Sequence, residues 1–93
     1  MSGHLLTDHE IALRLMKLHG WNRNDLHIER HYQFVDFDAL MDFINGIAAI
    51  ARQQNHHPDV KFGYDDCTVA FSTHSAGGIT DKDFDAAMRV NEL

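Results

Sequence analysis

The segment from Asp36 to Gln54 limits most strongly what this chain can fold into. Its apolar residues recur at three- and four-residue spacing, which is the repeat of an α-helix with one face on a core. They are Phe37, Leu40, Met41, Ile44, Ile47, Ala48 and Ala51. Asp36 can cap the first turn of this helix with its side chain. We therefore predict a long helix, ending at about Gln54, whose apolar stripe lies in the core.

A hairpin is predicted before this helix. Between residues 26 and 34 apolar and polar side chains largely alternate, as in a strand with one buried face. The apolar positions are Leu26, Ile28, Tyr32 and Phe34, with Arg30 as the exception on that face. Trp21 is predicted to open the shorter arm of the hairpin, because the polar residues 22–25 have the composition of a turn.

A second hairpin is predicted after the helix. Val60 to Tyr64 forms its first strand, Asp65-Asp66 its turn, and Cys67 to Thr73 its second strand. Side chains alternate between the two faces of a strand. The residues of the second strand that point inward are therefore Cys67, Val69 and Phe71.

Short helices are predicted near both ends of the chain. Thr7 and Thr80 are each followed three residues later by a carboxylate, the spacing of a capping box. The first helix should end near His19-Gly20, and a glycine-containing loop at 75–78 precedes the last helix. The residues expected to pack inward are Ile11, Leu15 and Leu18 in the first helix, and Phe84, Ala87, Met88 and Leu93 in the last.

The order of these elements predicts an α+β fold. Helix, two strands, helix, two strands and helix close most simply as a two-layer sandwich, with a four-stranded antiparallel sheet and three helices packed on one face. With 93 residues the chain has room for one core, so we predict a single domain covering 1–93.

Charge and composition argue against several classes of function. The 14 acidic and 8 basic side chains give a formal charge of −6, and no cluster of cations could neutralise a nucleic-acid backbone. No apolar run approaches the roughly 18 residues of a membrane span. A lone cysteine, Cys67, cannot form an internal disulfide, which suits a reducing compartment. We expect a cytoplasmic protein, or a nuclear one if the source is eukaryotic, that binds neither nucleic acid directly nor a membrane.

The stretch Asn55-His56-His57-Pro58 is the first candidate site. Pro58 favours extended backbone at His57, and adjacent side chains on extended backbone point to opposite sides. This geometry argues against both rings binding one metal ion, and no second cysteine is present. His74, at the end of the last predicted strand, is a possible partner. Converging histidines suggest acid–base chemistry near neutral pH, or binding, and the residues alone leave both open.

The chain resembles the pterin-4a-carbinolamine dehydratase family from Gly20-Trp21 to its C-terminus. The resemblance lies in a spaced set of residues in which His56-His57-Pro58 is followed by Tyr64, His74 and Asp83. Five, nine and eight residues separate these positions. Further matching features are Trp21, the Phe34-x-x-Phe37 entry to the long helix and the run Gly77-Gly78-Ile79-Thr80.

The resemblance implies an enzyme that removes water from 4a-hydroxytetrahydrobiopterin-like substrates to give quinonoid dihydropterin, so that tetrahydrobiopterin is recycled. It implies no cofactor and no metal. The implied catalytic residues are His56 and His74 as acid–base groups, His57 as a group that orients or polarises the pterin, and Asp83 as support. Which histidine is the acid and which the base stays open. Asp83 has an alternative role as part of the capping box.

The implied pterin-binding residues are His56, His57, Pro58, Thr73, His74, Ser75 and Ala76, with the backbone of 73–76 as the edge that hydrogen-bonds the ring. Two positions depart from the family. Arg52 stands where an acidic residue is common, so electrostatic support from that position is absent or reversed. Val60 stands where an aromatic residue is frequent, which weakens one wall of the expected pocket.

The resemblance also implies a homodimer or a homotetramer. A competing function follows from it, namely a non-catalytic interaction module that acts as a transcriptional coactivator or an assembly cofactor. Such a module would use the stripe on the long helix or an exposed sheet edge to bind a protein partner.

Overall fold

The structure, a computed structural model, describes residues 4–93. Three α-helices and four strands follow one another in the predicted order α-β-β-α-β-β-α. The helices are α1 (Asp8–Leu15), α2 (Phe37–Gln54) and α3 (Asp81–Asn91), and the strands are β1 (Asn22–Asn24), β2 (His27–Gln33), β3 (Asp59–Phe62) and β4 (Asp66–Phe71). The predicted α+β class is confirmed.

The strands form one antiparallel sheet in the order β1-β2-β4-β3, so the second and fourth strands of the chain are neighbours in its centre. Ile28 pairs with Phe71 and Arg30 with Val69 across β2 and β4. These residues lie on the face covered by the helices. The opposite face carries polar side chains such as Glu29, which pairs with Ala70.

The core lies between the sheet and the helices. Its residues from the sheet are Ile28, Cys67, Val69 and Phe71, and its residues from α2 and α3 include Leu40, Ile47, Ile50, Phe84, Ala87 and Val90. Only part of the stripe predicted on α2 lies in the core. Leu40, Ile47 and Ala51 are buried, and Ile44 packs against the core cluster. Phe37 is 39% exposed, and Met41 and Ala48 are only half-buried. Burial raises the pKa of the Cys67 thiol, which therefore packs as a small apolar group.

Capping fixes the starts of all three helices. Thr7 and Thr80 both form complete capping boxes, as predicted, and Asp36 accepts a hydrogen bond from the Ala39 amide. Gly20 has a φ of 87°, the left-handed conformation predicted for it. A Cβ atom at Gly20 would also lie 2.5 Å from the guanidinium group of Arg30, so this position has little room for a side chain.

Several predicted boundaries are wrong by a few residues. Residues 22–24 form strand β1 itself, and the hairpin turns at Asp25, which has a φ of 55°. Leu26 consequently lies in the turn and is 52% exposed. Asp66 belongs to β4, so the second turn spans 63–65 and is closed by a hydrogen bond from the Gly63 amide to the Asp66 carbonyl.

The inward face of α3 also differs from the prediction. Met88 and Leu93 are both 56% exposed, whereas Val90 is buried. The buried side chains of α3 include Phe84, Ala87 and Val90, which are spaced by three residues. Met88 lies outside this buried face of the helix.

Arg30 interrupts the apolar face of β2 because it belongs to a part-buried polar network centred on Asn91. The Asn91 Oδ1 atom accepts hydrogen bonds from Trp21 Nε1 at 2.8 Å, Arg30 at 2.9 Å and the Tyr32 hydroxyl at 3.1 Å. Arg30 also donates to the His19 carbonyl at 3.0 Å. Burial raises the pKa of the Tyr32 phenol, which keeps it a donor. The network joins the end of α3 to β2 and to the connection after α1.

No helix within residues 4–93 combines the length and the apolar character that crossing a membrane requires.

We expect Asn91→Ala to lower the free energy of unfolding by about 2–3 kcal/mol, because three donors would lose their acceptor in a part-buried site. Urea denaturation of the variant measures this loss. Asn22→Ala, at an exposed position of β1, is the matched control and should change stability by less than ~0.5 kcal/mol. If Asn91→Ala also lowers the free energy of unfolding by less than ~0.5 kcal/mol, the network contributes little to stability.

Candidate active site

A cleft of about 410 Å³ lies where the C-terminus of α2, the end of β4 and the start of α3 meet. Its lining residues are Asn55, His56, His57, Ser72, Thr73, His74, Ser75 and Lys82. The volume falls in the range of small-molecule sites, and three imidazole rings reach the same cleft from two loops. The structure thus brings together five predicted site residues, namely His56, His57, Thr73, His74 and Ser75.

The end of α2 places His56. Asn55 has φ 49° and ψ 44°, the left-handed conformation that ends many helices and that asparagine tolerates better than most residues. The amide of His56 then bonds the Ala51 carbonyl at 3.1 Å. After this reversal the His56 ring lies against Phe71, with ring centroids 5.8 Å apart and planes at 14°. Contact with a core residue therefore limits the motion of this ring.

Asp83 is the buried partner of His56. The His56 Nε2 atom lies 2.6 Å from Asp83 Oδ1, and the Asp83 side chain is fully removed from solvent. Asp83 Oδ2 accepts a hydrogen bond from the Thr73 hydroxyl and another from the Thr80 amide, each at 2.9 Å. One carboxylate therefore both caps α3 and contacts His56, and its role in supporting a site stays a prediction.

These contacts assign the proton between Asp83 and His56. Both groups that face Oδ2, the Thr73 hydroxyl and the Thr80 amide, donate to it, so Oδ2 carries no proton. Nε2 of His56 then carries the hydrogen that faces Oδ1. In the neutral ring this leaves Nδ1 as the nitrogen with a free lone pair, the one that can accept a proton.

His57 and His74 are exposed at the rim of the cleft. Pro58 follows His57, whose side chain is exposed, whereas the neighbouring His56 is half-buried. His74 begins a single 3₁₀ turn, His74–Ala76, which ends at Gly77 with a φ of 81°. Both rings can therefore meet a ligand without displacing the core.

The backbone amide and carbonyl of Thr73 are already hydrogen-bonded within the protein. The amide donates to the Gly78 carbonyl at 2.8 Å, and the carbonyl accepts from Ala76 and Gly77, both at 3.0 Å. A flat ligand at this edge of the cleft would therefore meet the backbone at 74–75 more readily than that of Thr73. Pro58 and Ala76 lie outside the cleft lining and shape the two loops that carry it.

The remaining positions singled out in the sequence lie away from the cleft. Tyr64 is 74% exposed and stacks on Phe37, with centroids 6.1 Å apart. Val60 packs at the margin of the core on β3, and Arg52 is exposed on α2. Neither Val60 nor Arg52 lines the cleft.

Three lining residues escaped the sequence prediction. Asn55 and Ser72 each precede a predicted site residue, and Lys82 lies inside the capping box of α3. An asparagine after the last apolar turn of a helix signals a left-handed cap, which could have identified Asn55. No local pattern distinguishes Lys82 from an ordinary exposed lysine. It adds a cation to a cleft whose lining, among residues 4–93, includes no carboxylate.

Within residues 4–93 no group of three or more His, Cys, Asp or Glu side chains is arranged to hold a metal ion. The three imidazoles of the cleft are divided between a ring bonded to Asp83 and two exposed rings.

Comparison with known proteins extends these observations. Residues 4–93 match the family described as pterin 4 alpha carbinolamine dehydratase. A Koribacter versatilis protein that carries this enzyme name provisionally is 42% identical over 88 residues, covering 95% of this chain and 94% of its own length. A crystal structure from Brucella melitensis, described as a transcriptional coactivator/pterin dehydratase, has a TM-score of 0.90 at 32% identity and covers 94% of this chain and 95% of its own.

A more distant structure has the same fold. It is a pterin dehydratase-like protein identified as a RuBisCO assembly factor in the alpha-carboxysome, with a TM-score of 0.67 at 18% identity, and the match covers 80% of this chain and 88% of its own. The match over residues 4–93, together with the cleft of three histidines, establishes that the chain belongs to the pterin-4a-carbinolamine dehydratase family.

Proposed function

We propose that the protein is a 4a-hydroxytetrahydrobiopterin dehydratase, a hydro-lyase that removes water from 4a-hydroxytetrahydropterins during tetrahydrobiopterin recycling in the cytoplasm. The observation that carries this proposal is the cleft in which His56, His57 and His74 meet, with Asp83 buried behind them. Imidazole is the side chain that both gives and takes protons near neutral pH.

The reaction needs two proton transfers. The bond between the 4a carbon and its hydroxyl oxygen breaks, and an acid protonates the departing oxygen so that it leaves as water. A ring nitrogen gives up its proton to a base, and its electron pair forms the new carbon–nitrogen double bond of quinonoid dihydropterin. One proton enters and one leaves, so the histidines return to their starting protonation states through exchange with solvent. General acid–base catalysis of this kind contributes about 10²–10⁴-fold to a rate.

The geometry supports different roles for the three histidines. His56 has a fixed ring with Nδ1 available, and His74 is exposed on a separate loop, so the two can serve a substrate placed between them. We assign the acid–base steps to this pair. His57, exposed beside His56, orients the pterin, and the 73–76 loop forms the edge of the site.

The positions that depart from the family leave the proposed mechanism intact. Arg52 and Val60 lie outside the cleft lining, so neither removes an acid–base group. Because Val60 packs against the core on β3, its departure from the family is expected to leave the lining of the cleft unchanged.

Stopped-flow measurement with freshly generated 4a-carbinolamine tests the proposal. The protein should accelerate dehydration above the spontaneous rate, and His56→Ala and His74→Ala should each lower kcat by ~100-fold because each removes a proton-transfer group. His9→Ala, the same change at an exposed position of α1, is the matched control and should keep full activity with a native circular dichroism spectrum. A wild-type rate equal to the spontaneous one would refute the proposal.

Asp83→Asn tests how the carboxylate acts. The asparagine amide nitrogen would donate to His56 Nε2 in place of accepting from it, so the ring proton would move to Nδ1 and the available lone pair would be lost. We expect kcat to fall by ~100-fold while the melting temperature changes by only a few degrees, since the cap of α3 can still form. Unchanged kcat would show that the Asp83–His56 pair serves stability alone.

A second function, protein interaction, is supported by α2. Phe37, Met41, Ile44 and Ala48 are half-buried or exposed and follow one another along one side of the helix, where Tyr64 stacks on Phe37. We propose that this side is a contact surface in a homodimer or homotetramer, or for a protein partner. The similar Brucella melitensis protein is described as both coactivator and dehydratase, so the two functions are compatible.

Analytical ultracentrifugation checks the contact surface. At micromolar concentration the wild type should sediment as a species larger than the 10.6 kDa chain, and Met41→Glu should shift it towards that mass because a charge would be buried in the contact. Met16→Glu, at an 82% exposed position, is the control and should leave the mass unchanged. A wild type that sediments only as the 10.6 kDa monomer would overturn the oligomer proposal.

A further inference from the structure

We propose that Thr73 is a positioning residue whose hydroxyl ties the Asp83 carboxylate to the sheet and thereby keeps the His56 proton on Nε2. The expected effect of this contact on kcat rests on the proposed dehydratase function. Its expected effect on which His56 nitrogen carries the proton is independent of that function and can be measured separately.

Counting protons fixes the direction of the hydrogen bonds. Thr73 Oγ1 lies 2.9 Å from Asp83 Oδ2 and 2.8 Å from Thr80 Oγ1. A carboxylate can only accept, so the one hydroxyl proton of Thr73 is given to Asp83, and Thr80 must be the donor to Thr73. Thr80 Oγ1 in turn accepts from the Lys82 amide at 3.2 Å. The chain of donors therefore runs from the start of α3 through both hydroxyls to the carboxylate.

Thr73 is the donor that comes from outside the helix. The other donor to Asp83 Oδ2 is the Thr80 amide, which belongs to the same helical cap as Asp83 and moves with it. Thr73 instead follows β4, the strand that also carries Phe71, on which the His56 ring is stacked. The hydroxyl of Thr73 thus fixes the carboxylate relative to the surface that holds the imidazole.

Burial makes this contact hard to replace. Thr73 is 3% exposed, and Thr80 and Asp83 are both fully buried. Water has little access to the carboxylate oxygen that would lose its partner, so removing the hydroxyl leaves Oδ2 with the helix amide alone. The carboxylate could then rotate away from His56 Nε2, and the ring could adopt its other tautomer, with Nε2 as the free nitrogen.

Three variants separate the effect of the Thr73 hydroxyl from the effects of side-chain shape and of lost stability. Thr73→Val keeps the shape and removes the donor, and it should lower kcat in the stopped-flow assay by ~10-fold with KM within about twofold. Thr73→Ser restores the donor and should return kcat to within about threefold of wild type. Ile47→Ala, a buried change in the middle of α2, controls for lost stability and should keep wild-type kcat at temperatures where it is folded. Equal kcat for Thr73→Val and wild type would overturn the proposal.

Long-range ¹H–¹⁵N NMR of the His56 ring gives a second readout that does not depend on turnover. Wild type and Thr73→Ser should show a protonated Nε2 and an unprotonated Nδ1, whereas Thr73→Val should show a mixture of the two tautomers. A pure Nε2–H tautomer in Thr73→Val would also overturn the proposal, whatever the activity. If the wild type fails to accelerate dehydration, the proposed dehydratase function is wrong. The comparison of His56 tautomers between wild type and Thr73→Val still decides the role of Thr73 in that case.

Should Thr73→Val fail to fold, the wild type itself provides the test. A buried hydroxyl that donates to a carboxylate exchanges slowly, so the Thr73 hydroxyl proton should give a resolved resonance at neutral pH. A hydroxyl proton that exchanges too fast to be seen would contradict the contact.

Discussion

The site depends on one buried carboxylate. An ionised group removed from water is costly unless its lone pairs are matched by donors, and Asp83 meets this condition with three donors. They come from three parts of the chain: His56 after α2, Thr73 after β4 and the Thr80 amide at the cap of α3. The same interactions therefore start a helix, join that helix to the sheet and orient an imidazole. Loss of any of the three donors would leave part of a fully buried charge unmatched.

This arrangement divides the cleft into a fixed half and an open half. His56 is held between Phe71 and Asp83, whereas His57 and His74 remain exposed on loops at the rim. Rigid placement favours proton transfer because a group that is already oriented loses little entropy when the substrate binds. Under the proposed function, the exposed rings meet the substrate and exchange protons with solvent. The division gives a physical reason why adjacent histidines in the sequence can have different roles.

Local patterns predicted most of the fold. Two capping boxes, a helical stripe and two alternating segments are each encoded within short stretches of sequence, and the structure has every predicted element in its predicted order. Turn positions were wrong by a residue or two because polar residues such as Asn22 and Asp66 occur equally well in a turn and as the first residue of a strand. The Asn91 network could not be predicted, since Trp21 and Asn91 are 70 residues apart and meet only in the folded chain. For the same reason the sequence left Asp83 with two alternative roles, and Lys82 gave no signal.

NMR titration with a stable dihydropterin shows whether a pterin ring binds among the three histidines of this cleft. The chain has eight histidines at separated positions, and the NMR signal of each imidazole ring reports on its own surroundings. We predict that the ring signals of His56, His57 and His74 shift together and saturably, while those of His9 on α1 and His31 on the open face of the sheet stay unchanged. Signal changes confined to histidines outside the cleft, or no saturable change at millimolar dihydropterin, would contradict pterin binding in this cleft.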